Sequence, residues 1–543
     1  MAEDLGTRHI RIYENMKSAR ASLEAYWQDL TYYSLPRKAY ITKVMNIGDQ
    51  LPTDIYDSTA IVGLSYFAAG MQAYMSSPQT KWFSITSRNQ KLIAGDKEAR
   101  DYLKDVEDEI YHLINGSNFY QEDVESYLNL GSIGTDVMYS EIDEKDGIRF
   151  DSVPMENICI DTDSQGRVNK AYMEYEFNCE QAINKFGEKA GSKPRECYIK
   201  NDFNTKFRYI FCVFPRDVYN PNKKDAKNMP YAALWIDREF KTIVREKGYN
   251  EFPFHGTRFS KMKLSPYGAS PVMNILPDIK MLNQLEKTNI LGAQFSILPP
   301  LEIPDEAFLK PYNFNPGGKN LKNSGYPNEH ITPINTGANV YLGLEYVKYK
   351  QEAVQKALYN DLFILFQQVG KMTAFEVNVR NNQRMQLLGS AIGNIMREKL
   401  SPVIERAYSI LARSNRLPPL PPSLQGEDYQ IEYLSPLARA QKSLELQNFT
   451  QAFEIIAGLG QVKPEVFDKI DFDATVDYIA QLTYTNPKVI RDDAEVADIR
   501  EGRAEQQQMM AQLEMVKQGT ETVREGAAAD KDLAMAEAAG KEG

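Results

Sequence analysis

The chain has 543 residues, of which 43% are apolar and 11% aromatic, and its formal net charge is −11. This length allows roughly two to four domains, and the acidic balance argues against a tight grip on duplex DNA, which calls for a basic patch or domain. The cysteines Cys159, Cys179, Cys197 and Cys212 contain no CxxC pair, which argues against a zinc site and leaves four thiols expected to be reduced.

In chain order, the N-terminal MAEDLGTRHIRIYENM has no apolar stretch of the kind a secretory leader carries, so synthesis in the cytoplasm is expected. Thr7 to Ser34 reads as one helix, with Leu23, Tyr26, Trp27 and Leu30 on one side and Pro36 closing it. A second helix is expected over Asp57 to Ser76. Its apolar run, Ala60 to Met75, is broken by Gly63, Ser65, Gly70 and Gln72 and is too short to span a bilayer. Lys81 to Thr86 looks like a strand, Asp96 to Leu113 a helix, and Ser117 and Asn118 cap another over Phe119 to Leu130.

From Gly134 to Ser260 the period changes. Thr135 to Ile142, Arg149 to Val153, Lys206 to Phe214, Tyr231 to Asp237 and Phe252 to Phe259 alternate as strands. The first 265 residues therefore read as one α+β domain. Pro266, Gly268 and Pro271 then crowd a loop, and Ser270 before Pro271 is a good N-cap followed by a good first helical residue. Ile275, Ile279, Leu282 and Leu285 recur at helical spacing, Pro277 interrupts early, and Pro299 and Pro300 end the helix. A second long helix is predicted over Tyr346 to Val369, striped by Val347, Val354, Leu358, Leu362, Leu365 and Val369 and stopped at Gly370. The stretch between them, Leu301 to Glu345, is rich in Pro, Gly and Asn and reads as loops.

Thr373 and Glu376 form a capping box. Phe375 to Arg413 is read as helix, kinked at Pro402. LPPLPP at Leu417 to Pro422 is a linker, Tyr429, Ile431 and Tyr433 alternate as a short strand, and helices resume through Tyr484. Pro487 to Gly543 has no aromatic residue and carries eight basic and thirteen acidic residues, so it is either a solvated helix or disordered.

Motifs with chemical meaning are incomplete. Asp161, Asp163 and Gly166 begin like a calcium loop, but the twelfth position is Tyr172 where a Glu is needed, so a hairpin turn is the better reading. Gly317 to Lys319 lacks the upstream Gly and the following Ser or Thr of a phosphate loop. Gly268, Ala269 and Ser270 fail as a nucleophile elbow because Val272 stands where Gly is required. The histidines His9, His112, His255 and His330 are scattered. No catalytic, cofactor or metal residues are therefore assigned.

The SPYGASP turn, the DIKMLNQLEK helix, MTAFEV at Met372 to Val377 and SNFY at Ser117 to Tyr120 together resemble the portal proteins of tailed bacteriophages. These are head-to-tail connectors, and the podovirus type is the most similar. The resemblance spans about Arg8 to Tyr484. It implies an α+β wing over 1–265, stem helices over 266–298 and 346–370, and a clip over 299–345. It further implies a channel loop and kinked wing helix over 371–413, a crown over 414–486, and a helical barrel or flexible tail over 487–543. It also implies a ring of about twelve subunits at one capsid vertex, which nucleates capsid assembly.

The implied partners are major capsid and scaffolding proteins, a transient terminase large subunit, tail adaptor proteins, and double-stranded DNA passing weakly and without sequence preference. No membrane and no cofactor are expected. Basic residues near the stem and channel loop, Lys280, Lys287, Lys348, Lys356, Lys371, Arg380 and Arg384, are candidates for contact with the DNA backbone. The competing reading pairs them with carboxylates or leaves them in solvent. Rival functions are another ring-forming virion connector such as a tail adaptor, or a carboxylate- and metal-dependent virion enzyme.

Overall fold

The computed structural model describes residues 4–43, 48–88, 96–143, 145, 147–221, 223, 225–305, 313–323, 330–334, 340–364, 388–426, 429–434, 436–483, 485, 489–491, 495–513 and 531. The chain forms two units. The first takes Met1–Phe83, Asp108–Leu417 and Tyr433–Leu437; the second takes Ser84–Glu107, Pro418–Glu432 and Ala438–Gly543.

The centre of the first unit is a five-stranded antiparallel sheet of β4 (Ile158–Thr162), β5 (Val168–Asn178), β6 (Lys206–Pro215), β7 (Tyr231–Asp237) and β8 (Ile243–Tyr249), in that spatial order. Alternation decides which side each residue covers. On β6, Tyr209, Phe211 and Val213 enter the main core, while Ile210 and Cys212 enter a second cluster on the opposite face. That second cluster is covered by Ile10 and Tyr13 of α1 (Leu5–Ala19). The sheet is therefore buried on both faces, and its alternation survives as aromatic against aliphatic rather than apolar against polar.

A three-stranded sheet, ordered β3 (Gly147–Ser152), β2 (Thr135–Asp143), β9 (Phe254–Arg258), adjoins it, and β10 (Ser260–Lys261) pairs with β11 (Gly268–Ala269) just beyond. The expected strands of this region are all present. The pattern missed β4, β5, β8 and two eight-residue helices, Cys179–Phe186 and Ser192–Ile199. The Asp163 turn joins β4 to β5 as a hairpin: its carboxylate accepts from Gln165 N (2.8 Å) and Arg167 N (2.9 Å), and Gly166 takes φ +76°.

The first expected helix is two. α1 stops at Ala19 and α2 (Ala21–Ser34) restarts after Arg20, whose backbone leaves the helical region at φ −99°, ψ 4°. The cause is long-range. Arg20 is 3% exposed, and its guanidinium donates to Ile158 O, Glu156 O, Tyr267 Oη and Glu24 Oε1. α3 (Thr59–Met75) follows, then α4 (Lys97–Asn115) and α5 (Phe119–Ser132).

Two long helices leave this core. α8 is Pro271–Ile297, counting the two short helices above as α6 and α7. α9 is Val340–Ala357 and does not run on to Val369 as expected. Tyr359 adopts φ +59°, and a short α10 (Asn360–Ile364) begins beyond it. Between α8 and α9 the expected loops contain a small sheet, ordered β13 (Lys319–Asn323), β12 (Leu301–Asp305), β14 (Thr332–Pro333), with β12 and β13 parallel. Pro304 lies past the two-residue β14 ladder, where one strand edge needs no donor.

A helix over 388–395 continues through a π-turn, Met396–Leu400, into Ser401–Arg413. The irregularity expected from Pro402 is this π-turn. The second unit pairs β1 (Phe83–Ser87) with β15 (Tyr429–Tyr433) and packs the helices Pro436–Val462 and Phe472–Thr483 through Phe449, Phe453, Phe472 and Tyr478. A further helix over 495–513 is almost wholly exposed, matching the solvated reading of the tail for those residues.

Candidate functional site: the long helix pair

α8 is built to start rigidly. Ser270 Oγ accepts from Met273 N (3.0 Å) and donates to Ser132 O (2.7 Å), so the capping hydroxyl also ties the helix to the end of α5. This serine is 2% exposed and fully engaged, which closes the nucleophile reading from the structural side. Pro277 cannot donate to the carbonyl of Met273, four residues back. Tyr26 Oη donates to that carbonyl instead (3.1 Å). The SPYGASP turn is architecture too. Gly268 and Ala269 pair with Lys261 and Ser260, and the Tyr267 ring packs edge-on to Trp27 at 5.1 Å.

The helix has 27 residues, about 40 Å of length. Its halves differ. Val272, Leu276, Ile279 and Leu282 are buried in the main core; from Asn283 to Pro299 no residue is buried. α9 runs antiparallel beside it. Lys350 Nζ pairs with Asp278 (2.7 Å), and near the other end a Cβ on Gly343 would overlap the Asn289 side chain. That close approach is what Gly343 permits. Asp278 holds the Lys350 ammonium above its ordinary pKa through this hydrogen bond. On the outer half of α8, Ile290, Leu291 and Ile297 stay exposed, and on α9 so do Leu344, Tyr346 and Tyr349, with the two tyrosine rings stacked at 6.3 Å. Exposed apolar side chains thus run along both helices, and an apolar patch of this kind is a candidate interaction surface.

A strap over 48–58 lies across both helices. The Asn283 amide imitates a backbone unit: its oxygen accepts from Tyr56 N (2.6 Å) and its nitrogen donates to Asp54 O (3.2 Å). Asp57 accepts from Gln351 of α9 (2.8 Å) and from Thr59 N at the start of α3 (2.9 Å). Glu286, half-covered nearby, has its pKa raised by burial and then by the Asp57 charge. None of these links is visible in sequence spacing, because each joins residues more than two hundred positions apart or pairs a polar side chain with backbone.

The helix over 388–413 is pinned by charge. Lys399, in the π-turn, is fully buried and pairs with Asp123 (2.7 Å), with its ammonium 3.6 Å from the centroid of the Tyr127 ring. Its neighbour Glu398 accepts from Arg258 and from Lys261 (3.0 Å), and Arg258 also reaches Gly166 O (2.7 Å). The π-turn is thus tied to α5 through Lys399 and to β9 through Arg258 by ion pairs with little access to water, and to the half-exposed Lys261 by a third.

Of the seven basic candidates, Lys280 pairs with Asp29 (2.7 Å) and Lys356 with Glu352 (3.8 Å). Lys287 lies 5.6 Å from the centre of the Tyr56 ring, and Lys348 is exposed. Lys371, Arg380 and Arg384, with the MTAFEV segment, lie outside the described residues. The described four lie on the helix pair, Lys280 and Lys287 on α8 and Lys348 and Lys356 on α9. Gly317 takes φ +72° in a turn, and Lys319 behind it enters β13. His9 is stacked on Phe214 and bonded to Tyr172, and His255 is bonded to Ser140 (2.9 Å), so neither histidine is open for catalysis. Three of the four unpaired cysteines are buried, and burial raises the Cys159 thiol to about 11.

A sequence-family profile described as "Bacteriophage head to tail connecting protein" matches residues 7–490. The chain belongs to this head-to-tail connector family. It is 28% identical over 563 aligned positions to the portal protein of Salmonella phage epsilon15, covering 99% of each chain. It is also 28% identical over 520 positions to a probable portal protein of Bordetella phage BPP-1, covering 93% of this chain and 92% of that one. The connector is thus a portal-type virion component, and the mixed helix-and-sheet fold agrees with the expectation. Among its described residues, no helix is long and apolar enough to cross a membrane.

Proposed function

We propose that this connector closes into a ring of twelve copies at one capsid vertex and serves as the conduit through which duplex DNA is packaged and ejected. The observation that carries the reading is the outer half of α8, where no residue from Asn283 to Pro299 is buried, together with the exposed apolar side chains Leu344, Tyr346 and Tyr349 of α9 beside it. Neighbouring copies supply the missing cover, and closed rotational symmetry supplies it to every copy at once.

In this reading residues 1–265 form the wing, the two long helices the stem, 299–345 the clip, and 414–486 the crown. The ring nucleates the capsid with scaffolding and major capsid proteins, receives a terminase large subunit during packaging, and then tail adaptor proteins. It hydrolyses no nucleotide and cuts no DNA itself. Lys280, Lys287, Lys348, Lys356, Lys371, Arg380 and Arg384 are the residues proposed to touch passing phosphates. A few scattered cations suit DNA that must slide, since many strong contacts would hold it still.

Mass photometry of the purified chain tests the ring. A closed ring of about twelve copies of a 61.9 kDa chain weighs about 743 kDa. Folded monomers alone at micromolar concentration would refute it. Particles assembled with Lys371, Arg380 and Arg384 all changed to Gln are expected to form normally and hold less DNA. Normal DNA content would remove those three from the conduit.

A further inference from the structure

The second long helix carries two instructions. Its sequence keeps an apolar stripe at helical spacing through Val347, Val354, Leu358 and Leu362, as one continuous helix would. Its structure breaks after Ala357, turns through Tyr359 at φ +59°, and resumes as α10. A tyrosine in the left-handed region is strained, and such residues persist only where the surroundings over-determine them.

The surroundings here are the face of α3. Gly63 and Gly70, seven residues and so about two turns apart on one face, are notches for the broken segment. A Cβ at Gly63 would lie 2.8 Å from Leu358 Cδ1 and equally close to the Asn360 amide. A Cβ at Gly70 would overlap the Phe363 ring. Asn360 is 2% exposed, and with its amide oriented so that the nitrogen faces the two carbonyls, it donates to Gly63 O (2.8 Å) and to Leu358 O (3.3 Å), closing the turn onto α3. The Tyr359 and Phe363 rings flank Phe67, at 6.5 and 6.4 Å between centroids.

We propose that Tyr359 is a hinge between a bent and a straight form of the second long helix, and that the Gly63 and Gly70 notches of α3 select the bent form. Straightening needs one residue to move from the left-handed to the right-handed region. Leu358 and Leu362 stay on the apolar stripe in either form. Phe363 leaves its notch and Asn360 releases Gly63. The balance thus depends on whether α3 can accept a ring and an amide against its backbone, which only glycine permits at those two positions.

Hydrogen exchange of the full-length chain, read by mass spectrometry on peptides covering 357–364, tests this whatever the oligomeric state. In the bent form Tyr359 N donates to Lys356 O and Leu362 N to Tyr359 O, a turn rather than a regular helix. Tyr359→Ala, which favours the right-handed helix, is expected to slow exchange in this segment about tenfold. Tyr359→Gly, which is at ease in the left-handed region, is expected to leave it at the wild-type rate or faster. Gly70→Ala is expected to slow exchange as Tyr359→Ala does, by barring the Phe363 ring. Equal exchange in the Ala and Gly variants of Tyr359, or unslowed exchange in a Gly70→Ala chain that keeps the wild-type urea midpoint, would show a fixed bend and overturn the hinge. The Tyr359 pair decides the matter even where Gly70→Ala folds poorly.

Discussion

The first twelve residues of α8 and the last fifteen obey different rules. The inner stretch, from Pro271 to Leu282, has a buried cap, a proline whose orphaned carbonyl is satisfied by a distant tyrosine, and four apolar residues in the main core. The outer stretch has helix geometry, a few polar contacts to the strap, and exposed apolar side chains. A single chain completes the first and leaves the second unfinished. What looks like one element is therefore an anchor followed by an uncovered stretch, proposed above as the subunit interface, and substitutions in the two halves should register in different assays.

The largest expected effect lies on the anchor side, at Lys399 and Asp123. Both side chains are fully buried. Asp123→Ala would leave a buried ammonium without its partner and is expected to cost about 3–5 kcal/mol of stability. Changing both, as Asp123→Ala with Lys399→Met, is expected to recover most of that loss, since the charge itself is gone. Urea unfolding of the two variants checks this. Equal losses would mean that the pair is held by packing rather than by charge.

A direct contrast comes next. Leu282→Ala removes a fully buried side chain and is expected to cost about 2–5 kcal/mol. Leu291→Ser, nine residues on, removes an exposed one and is expected to change the unfolding free energy of the isolated chain by no more than about 0.5 kcal/mol. Ring mass should respond in the opposite order: Leu291→Ser shifts photometry toward free subunits at a given concentration. If Leu291→Ser lowers the unfolding free energy as much as Leu282→Ala and leaves ring mass unchanged, the division of α8 into anchor and interface is wrong.

How far the sequence told this in advance follows the same line. Strands β2, β6 and β7 were legible to within a residue or two, because alternation is local. So was the start of α8, since Ser270 and Pro271 announce it. The breaks at Arg20 and Tyr359 were not legible: one is set by carbonyls at Glu156 and Ile158, the other by glycines on α3. β4 and β5 were missed because their side chains are buried on both faces or half-exposed, which blurs the alternation. Of the candidate basic residues, type and helix could be read, but Asp29 as the partner of Lys280 could not.

Acid should weaken the core before it touches the outer helix turns. Burial, and then the charge of Arg406, lower His255 from 6.5 to about 3. Folded His255 stays neutral through that range while the unfolded chain takes up a proton near 6.5. The unfolded state then binds more protons, so stability falls as pH falls from about 6.5 toward 3. The slope expected from this one group is about 1.4 kcal/mol per pH unit. His9, lowered to about 4 by burial and then by Arg8, acts in the same direction. Urea midpoints between pH 7 and 5 should fall less steeply in His255→Asn, and an unchanged slope would show that His255 titrates normally.

The smallest effect concerns Tyr26 and Pro277. The hydroxyl of Tyr26 takes the Met273 carbonyl only because residue 277 has no N–H to offer. Tyr26→Phe should leave that carbonyl to water; Tyr26 is 37% exposed, so the cost should sit near the low end of the usual range, about 0.5 kcal/mol. In a Pro277→Ala background, the backbone N–H gained at that position can make the helical bond to Met273 O itself. Tyr26→Phe should then cost almost nothing. The coupling between the two positions, measured as a double-mutant cycle in urea, is the readout. A Tyr26→Phe cost that is the same in both backgrounds would mean that the hydroxyl contributes through something other than the carbonyl freed by proline.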